Sequence, residues 1–206
     1  MEYRQVPHIA NSDLTELKNF LFGLPQHQHS PAQAFGTRFH DFLLLDTDAI
    51  PTGKGASATK RMLNVVRTNP FFSHIIAEAQ IETAQYWGDE LTGLPCKARL
   101  DLQLPEEGLI VDIKTTSARN QREFENNGYR YEYDRQAAFY LDGCCQTGVC
   151  ADRFILLGIQ KQQPHNLYVV EVKADSIFMD GGRRKYRRLL RSWQEVSFHP
   201  SSWITC

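Results

Sequence analysis

The chemistry in this 206-residue sequence concentrates on two acidic residues in neighbouring strands and a lysine just beyond the second. Leu109–Thr116 (LIVDIKTT) is β-branched and apolar except at Asp112 and Lys114, which point to one face of a strand about 6.5–7 Å apart along the chain. Burying a carboxylate and an ammonium beside a core costs several kcal/mol unless they pair or meet a metal. The preceding strand, Cys96–Leu104, alternates Ala98, Leu100, Leu102 and Leu104 on one face with Lys97, Arg99, Asp101 and Gln103 on the other. A turn at Pro105–Gly108 makes the two strands a hairpin and brings Asp101 within a few ångströms of Asp112. Two opposed carboxylates repel, and a divalent cation resolves the repulsion because Mg²⁺ takes a couple of carboxylates plus waters and phosphate oxygens. Lys114 would then face the phosphate or the attacking water. The competing reading is a surface hairpin in which Asp101 pairs with Lys114 or Arg99, and the apolar neighbours of Asp112 weigh against it.

The elements that must position these groups follow from periodicity. Ser12 is a candidate cap for a helix through Leu14, Leu17, Phe20 and Leu21, and Ser30-Pro31 opens a second through Phe35, Phe39, Phe42 and Leu43. A third helix is expected over Ala56–Arg67 and a fourth from Asn69-Pro70 toward Ala79. Ile81–Trp87 reads as a short strand, Asp134–Leu141 as helix, and Arg153–Gln160 and Leu167–Lys173 as further strands. A basic amphipathic helix starts near Asp175. The expected fold class is α/β (α+β) in a single domain spanning 1–206: a helical part over 1–80, a mixed sheet core over 81–174, and a basic helix and tail over 175–206.

Composition is ordinary for a globular chain, with 42% hydrophobic and 23% charged residues, which excludes disorder, collagen and coiled coil. With 23 basic and 24 acidic residues, any positive field for nucleic acid must be local. Arg183–Arg191 (RRKYRRLLR), six of nine basic, is the candidate, against the alternative of a solvated helix face. No apolar stretch reaches the roughly 18–20 residues of a membrane span, and Met1–Ala10 lacks a signal-peptide apolar region, so a cytoplasmic location is expected. Five cysteines without a framework spacing are expected as thiols, and His27 and His29 in a Pro-flanked loop lack a third zinc ligand.

Asp101, a hairpin and Asp112-x-Lys114 together resemble the PD-(D/E)xK nuclease superfamily. Gly36-Thr37-Arg38-Phe39-His40 is similar to the GxxxH element of its exonuclease branch, and Gln136-Ala137-Ala138-Phe139-Tyr140 to the QxxxY element. Residues 92–101 and 110–116 resemble RecE-type exonucleases (exodeoxyribonuclease VIII) and, more distantly, lambda exonuclease. Leu100 stands where the family pattern has proline. The resemblance implies a restriction-endonuclease-like core, with Glu82, Asp101 and Asp112 as metal carboxylates, the Ile113 carbonyl as a further ligand and Lys114 as the catalytic lysine. It places His40 at a second metal and Gln136 against Lys114 or the nucleophilic water. Glu78 competes with Glu82, and a core role competes with the site role of His40. Lys97, Arg99 and Tyr140 are expected on DNA, with Arg183, Arg184, Lys185, Arg187 and Arg188 farther out.

The resemblance implies Mg²⁺-dependent exonuclease action on double-stranded DNA ends, with Mn²⁺ as an alternative ion and two ions in the site. The resemblance further implies 5′-to-3′ polarity leaving 3′ tails for phage-type recombination, a ring-shaped trimer or tetramer, and a single-strand annealing partner in a bacterial or phage-infected cell. An endonuclease using the same carboxylates and an inactive DNA-binding module are the rivals. A related iron–sulfur design is disfavoured because no cysteine precedes Cys96.

Overall fold

The computed structural model describes residues 3–25, 30–45 and 48–203, so His27, His29 and Cys206 lie outside the described residues. Period-two patterning beyond residue 80 resolves into β1 (Gln80–Gly88), β2 (Pro95–Leu104), β3 (Leu109–Thr116), β4 (Arg153–Gln160) and β5 (Leu167–Lys173). They form one sheet in sequence order, with β3 and β4 parallel and all other neighbours antiparallel. A parallel pair needs a crossover, supplied here by α5 (Gln121–Arg130) and α6 (Tyr133–Gln146).

The other α-helices among the described residues are α1 (Asn11–Leu21), α2 (Pro31–His40, continued by a π-helical turn over Asp41–Leu45), α3 (Ala56–Thr68), α4 (Pro70–Glu78) and α7 (Ile177–Glu195). Expected caps operate at α2, where Ser30 and Gln33 exchange side-chain and backbone hydrogen bonds, and at α4, where Asn69 accepts from Phe71 and Phe72 N–H. At α1 the expectation changes: Ala10 occupies the cap, its N–H donates to Asp13 at 2.8 Å, and Ser12 lies inside the first turn. Helix α5 was not anticipated, because its buried face holds only Phe124 and Gly128.

Two apolar layers sandwich the sheet. Leu14, Leu17, Phe139, Met179 and Leu190 pack with Ile110, Phe154 and Leu156 on one side; Phe39, Met62, Val66 and Phe72 pack with Val111, Ile113 and Leu157 on the other. Strand β3 is therefore buried on both faces, which explains its near-continuous apolar run. The even alternation expected for β2 does not hold. Ala98 and Leu100 enter the first layer, whereas Leu102 and Leu104 enter the second. The reversal falls where the β1–β2 ladder skips the opposed residues Glu82 and Asp101, and Glu82 has a left-handed φ of 51°.

Helix α7 lies against α6 at unusually close range because Gly182 has no side chain. A Cβ there would meet the Asp134 carbonyl oxygen, whereas one on Gly181 would reach Asp134 Oδ2 at an ordinary 3.5 Å. Among the described residues no helix is long and apolar enough to cross a membrane. Gly182→Ala is expected to destabilise the fold by about 2–3 kcal/mol through forced separation of the helices, while Gly181→Ala is expected to be neutral or mildly stabilising. Chemical denaturation of the two variants checks this.

Candidate active site

The site is built where β2 and β3 part. Their ladder runs through Leu104–Leu109, Gln103–Ile110 and Leu102–Val111 and then stops, although the same register would oppose Asp101 to Asp112 next. A side chain takes over from the backbone there: Asp101 Oδ2 accepts the Ile113 N–H at 2.7 Å. The Ile113 carbonyl meets His40 Nε2 at 2.8 Å, and His40 Nδ1 lies 3.5 Å from Asp101 Oδ1. Helix α2 thus reaches the opened edge through its last residue. Ligand atoms of His40, Glu82 and Asp101 all lie within 4.8 Å of one another.

Asp112 projects to the opposite helical layer, where each oxygen has its own neighbour. Oδ1 accepts from Gln136 Nε2 at 3.0 Å, and Oδ2 lies 2.6 Å from Lys114 Nζ. Gln136 Nε2 also donates to Tyr140 Oη at 3.1 Å. The i, i+4 spacing on α6 therefore makes Tyr140 a brace for Gln136, and Gln136 touches Asp112, in place of the expected contact with Lys114 or water. Glu82 is held by Arg99, whose Nε lies 2.6 Å from its Oε2. Glu78 is exposed at the end of α4, away from this cluster.

Electrostatics divide the two aspartates. Burial pushes Asp112 up to about 6 and Asp101 adds to that rise, with Lys114 opposing them only partly. Asp101 is partly buried, but His40, Lys114 and the Ile113 N–H outweigh desolvation and hold it below the usual carboxylate range. Burial would lower Lys114, yet Asp112 and Asp101 raise it, so it stays a charged ammonium in the metal-free protein. Burial likewise opposes protonation of His40, and Asp101 reverses that effect.

Several residues expected on DNA have other employment. Lys97 is buried, and its Nζ donates to the Tyr3 and Val6 carbonyls at 3.0 and 2.7 Å, which pins the N-terminal segment to β2. Arg183 grips Asp142 through Nε and Nη2 and donates to the Ala174 carbonyl. Lys185 binds Asp134 at 2.7 Å, and Arg187 reaches Asp142 and Glu90. These three stitch α7 to its surroundings. Arg184 and Arg188, with Arg191, are exposed and pair with no carboxylate among the described residues. Tyr133, which the sequence did not single out, lies under Lys114, with Nζ 5.1 Å from its ring centroid.

The sequence profile of a PDDEXK-like domain of unknown function (DUF3799) matches residues 15–206, and the chain belongs to that family. The five-stranded mixed sheet with its flanking helices is a PDDEXK-like α+β fold. Among curated proteins none matches the sequence. A protein from Eubacterium rectale provisionally assigned as an exonuclease has a similar structure, with a TM-score of 0.64, 18% identity, and 90% of this chain and 80% of that chain covered. An alkaline exonuclease from Laribacter hongkongensis gives a TM-score of 0.51 at 12% identity, covering 93% of this chain and 90% of that one. The same exonuclease in complex with dAMP gives 0.52 at the same identity and coverage. Family and fold together support a nuclease.

The donor set suits a hard divalent cation: carboxylates from two strands, Glu82 of β1 and Asp101 of β2, meet the His40 imidazole at a partly buried edge beside the Ile113 carbonyl, while Asp112 of β3 is held by Gln136 and Lys114. Metal-free stability should therefore depend on pH. The raised Asp112 contributes stability that is present below its unfolded value and lost as pH rises through about 6; the raised His40 contributes stability present below its ordinary value and lost above it. The lowered Asp101 acts only at acid pH, below that window. Thermal unfolding in EDTA is expected to show a midpoint that falls as pH rises from about 4 through 6 and keeps falling above 6.5. Mg²⁺ should restore it at the upper end, and Asp112→Asn should flatten the profile; no shift with Mg²⁺ or Mn²⁺ would refute the metal assignment.

Proposed function

We propose that this protein is a divalent-metal-dependent exodeoxyribonuclease acting on the ends of linear double-stranded DNA. The observation that carries this reading is the convergence of His40, Glu82 and Asp101 at the opened β2–β3 edge, beside the Asp112–Lys114 pair that Gln136 braces on β3. The three carboxylates and the Ile113 carbonyl are the groups to hold Mg²⁺ or Mn²⁺, with His40 beside a second ion. Bound there, the metal supplies neutralisation of phosphate charge and a more acidic water.

The protein's own groups have separable tasks. Lys114, kept protonated by two aspartates, places an ammonium where charge develops on the phosphate oxygens. Gln136 fixes the rotation of Asp112, and Tyr140 fixes Gln136. Half-exposed Arg99 can contact a backbone phosphate beside Glu82. Arg184 and Arg188 offer outward charge for DNA farther from the cut, a positioning contribution without sequence information. The dAMP complex of the similarly folded alkaline exonuclease supports a deoxynucleoside monophosphate as product.

The resemblance to RecE-type and lambda exonucleases supports 5′-to-3′ polarity, a 3′ single-stranded product for recombination, a ring of three or four subunits around DNA, and a single-strand annealing partner. Time-resolved digestion of duplex labelled at either 5′ or 3′ ends, beside covalently closed circles, tests the activity. Early 5′ release from linear DNA alone, abolished by EDTA and reduced at least ~100-fold by Asp112→Asn or Lys114→Met, is expected. Cutting of circles would make it an endonuclease, and binding without cutting would leave a DNA-binding module. Replacing Arg184 and Arg188 together by alanine should reduce the salt dependence of DNA binding by about two in log–log slope, whereas Arg183→Ala should chiefly lower stability.

A further inference from the structure

We propose that Tyr131, flanked by Arg130, is a stacking platform for a nucleobase at the mouth of the active site, an inference that rests on the nuclease reading above. A row of rings and cations leads from the candidate catalytic lysine to solvent. Lys114 Nζ lies 5.1 Å from the Tyr133 ring, the Tyr133 and Tyr131 centroids are 5.8 Å apart, and the Arg130 guanidinium lies 5.6 Å from the Tyr131 ring. Tyr133 is half-buried, but Tyr131 is 55% exposed. The neighbouring Tyr129 is turned elsewhere, with its ring edge-on to Phe178 at 5.1 Å.

The backbone that presents Tyr131 is fixed with some effort. Between the end of α5 and the start of α6, Glu132 adopts a left-handed φ of 56°, a conformation with a steric cost for a residue with a side chain. Its carboxylate is gripped by Lys18 of α1 at 2.8 Å and by Arg135 of α6 at 3.1 Å. These ion pairs, and not a glycine, hold the turn. An exposed tyrosine on such a fixed turn offers a flat face and has few torsions to freeze on binding.

The chemistry favours a nucleobase as occupant. Every base has a π face, so stacking tolerates any sequence, as an end-degrading nuclease requires. Arg130 adds positive charge beside the ring, matched to the phosphate that accompanies each base. The adjoining Lys114 centre supplies the reason for a strand to pass this point. A base of the strand entering the site would rest on Tyr131 while its neighbouring phosphate approaches Lys114.

The test uses linear duplex carrying 2-aminopurine as the terminal base of one strand or the other, bound by the full chain in EDTA so that nothing is cut. Wild type is expected to alter the fluorescence of one of these end bases on binding. Tyr131→Ala should abolish that change and weaken end binding by about 5- to 100-fold. Tyr131→Phe should keep the fluorescence change, because the ring remains, and so separates stacking from loss of the fold. Phe71→Ala, an exposed aromatic on α4 in the opposite layer, should match wild type in this assay. No fluorescence change with wild type, or a Tyr131→Ala signal and affinity equal to wild type, would overturn the platform. Those results leave the nuclease reading intact if wild type still degrades linear DNA with Mg²⁺, whereas failure of that degradation overturns the nuclease reading itself.

Discussion

The structure turns on the interruption of the β2–β3 ladder after Leu102–Val111. Continued pairing would set Asp101 and Asp112 side by side in a strand pair covered on both faces, where like charges cannot be screened by water. Parting the strands separates them and frees the Ile113 amide, whose N–H goes to Asp101 and whose chain neighbour Asp112 turns toward α6. Both helical layers then close onto the opening. His40 arrives from one side against the Ile113 carbonyl, and Gln136 from the other against Asp112. Neither contact could form across an unbroken ladder.

The same opening explains why two aspartates in one site titrate in opposite directions. Asp101 meets an imidazole and a backbone N–H, which favour its anion, whereas Asp112 is enclosed more deeply and has Lys114 as its main compensation. Unlike environments for like groups are a feature of sites that manage protons and charge. The cost of Asp112 is incurred within β3, a strand that both apolar layers cover. Packing of Ile110, Val111 and Ile113 provides the surplus that tolerates a buried charge beside them.

Much of this was legible because β3 announces itself: an apolar strand interrupted by an acid and a base has few explanations. The caps at Ser30 and Asn69 were equally readable, since each rests on bonds within four residues. What escaped the sequence involved partners remote along the chain. The reversal of β2 at Asp101 defeats any constant period, and the sequence gives no sign that Glu82 will take a left-handed backbone. Lys97 looked free because the carbonyls that claim it, from Tyr3 and Val6, lie more than ninety residues away. Helix α5 was hidden by its polarity and by Asn126-Asn127-Gly128, which imitates a turn.

The basic run in α7 shows how composition and surface charge diverge. Arg183 and Arg187, one turn apart, share a face with buried Tyr186 and Leu190 and are consumed by Asp142 and its neighbours. Arg184, Arg188 and Arg191 fall on the other face and stay exposed. The acidic side is depleted from the surface as well, since among the described residues Asp13, Asp89, Asp112 and Asp134 are buried, against Lys97 and Arg135 of the basic ones. Removing those four carboxylates and two cations from the formal −1 leaves the rest of the chain at +1. Within a Debye length, about 8–10 Å, an approaching polyanion responds to that exposed balance more than to the total. A nearly neutral chain can therefore present local positive charge to a polyanion, because the fold turns some of its acids inward and leaves a stripe of arginines outside.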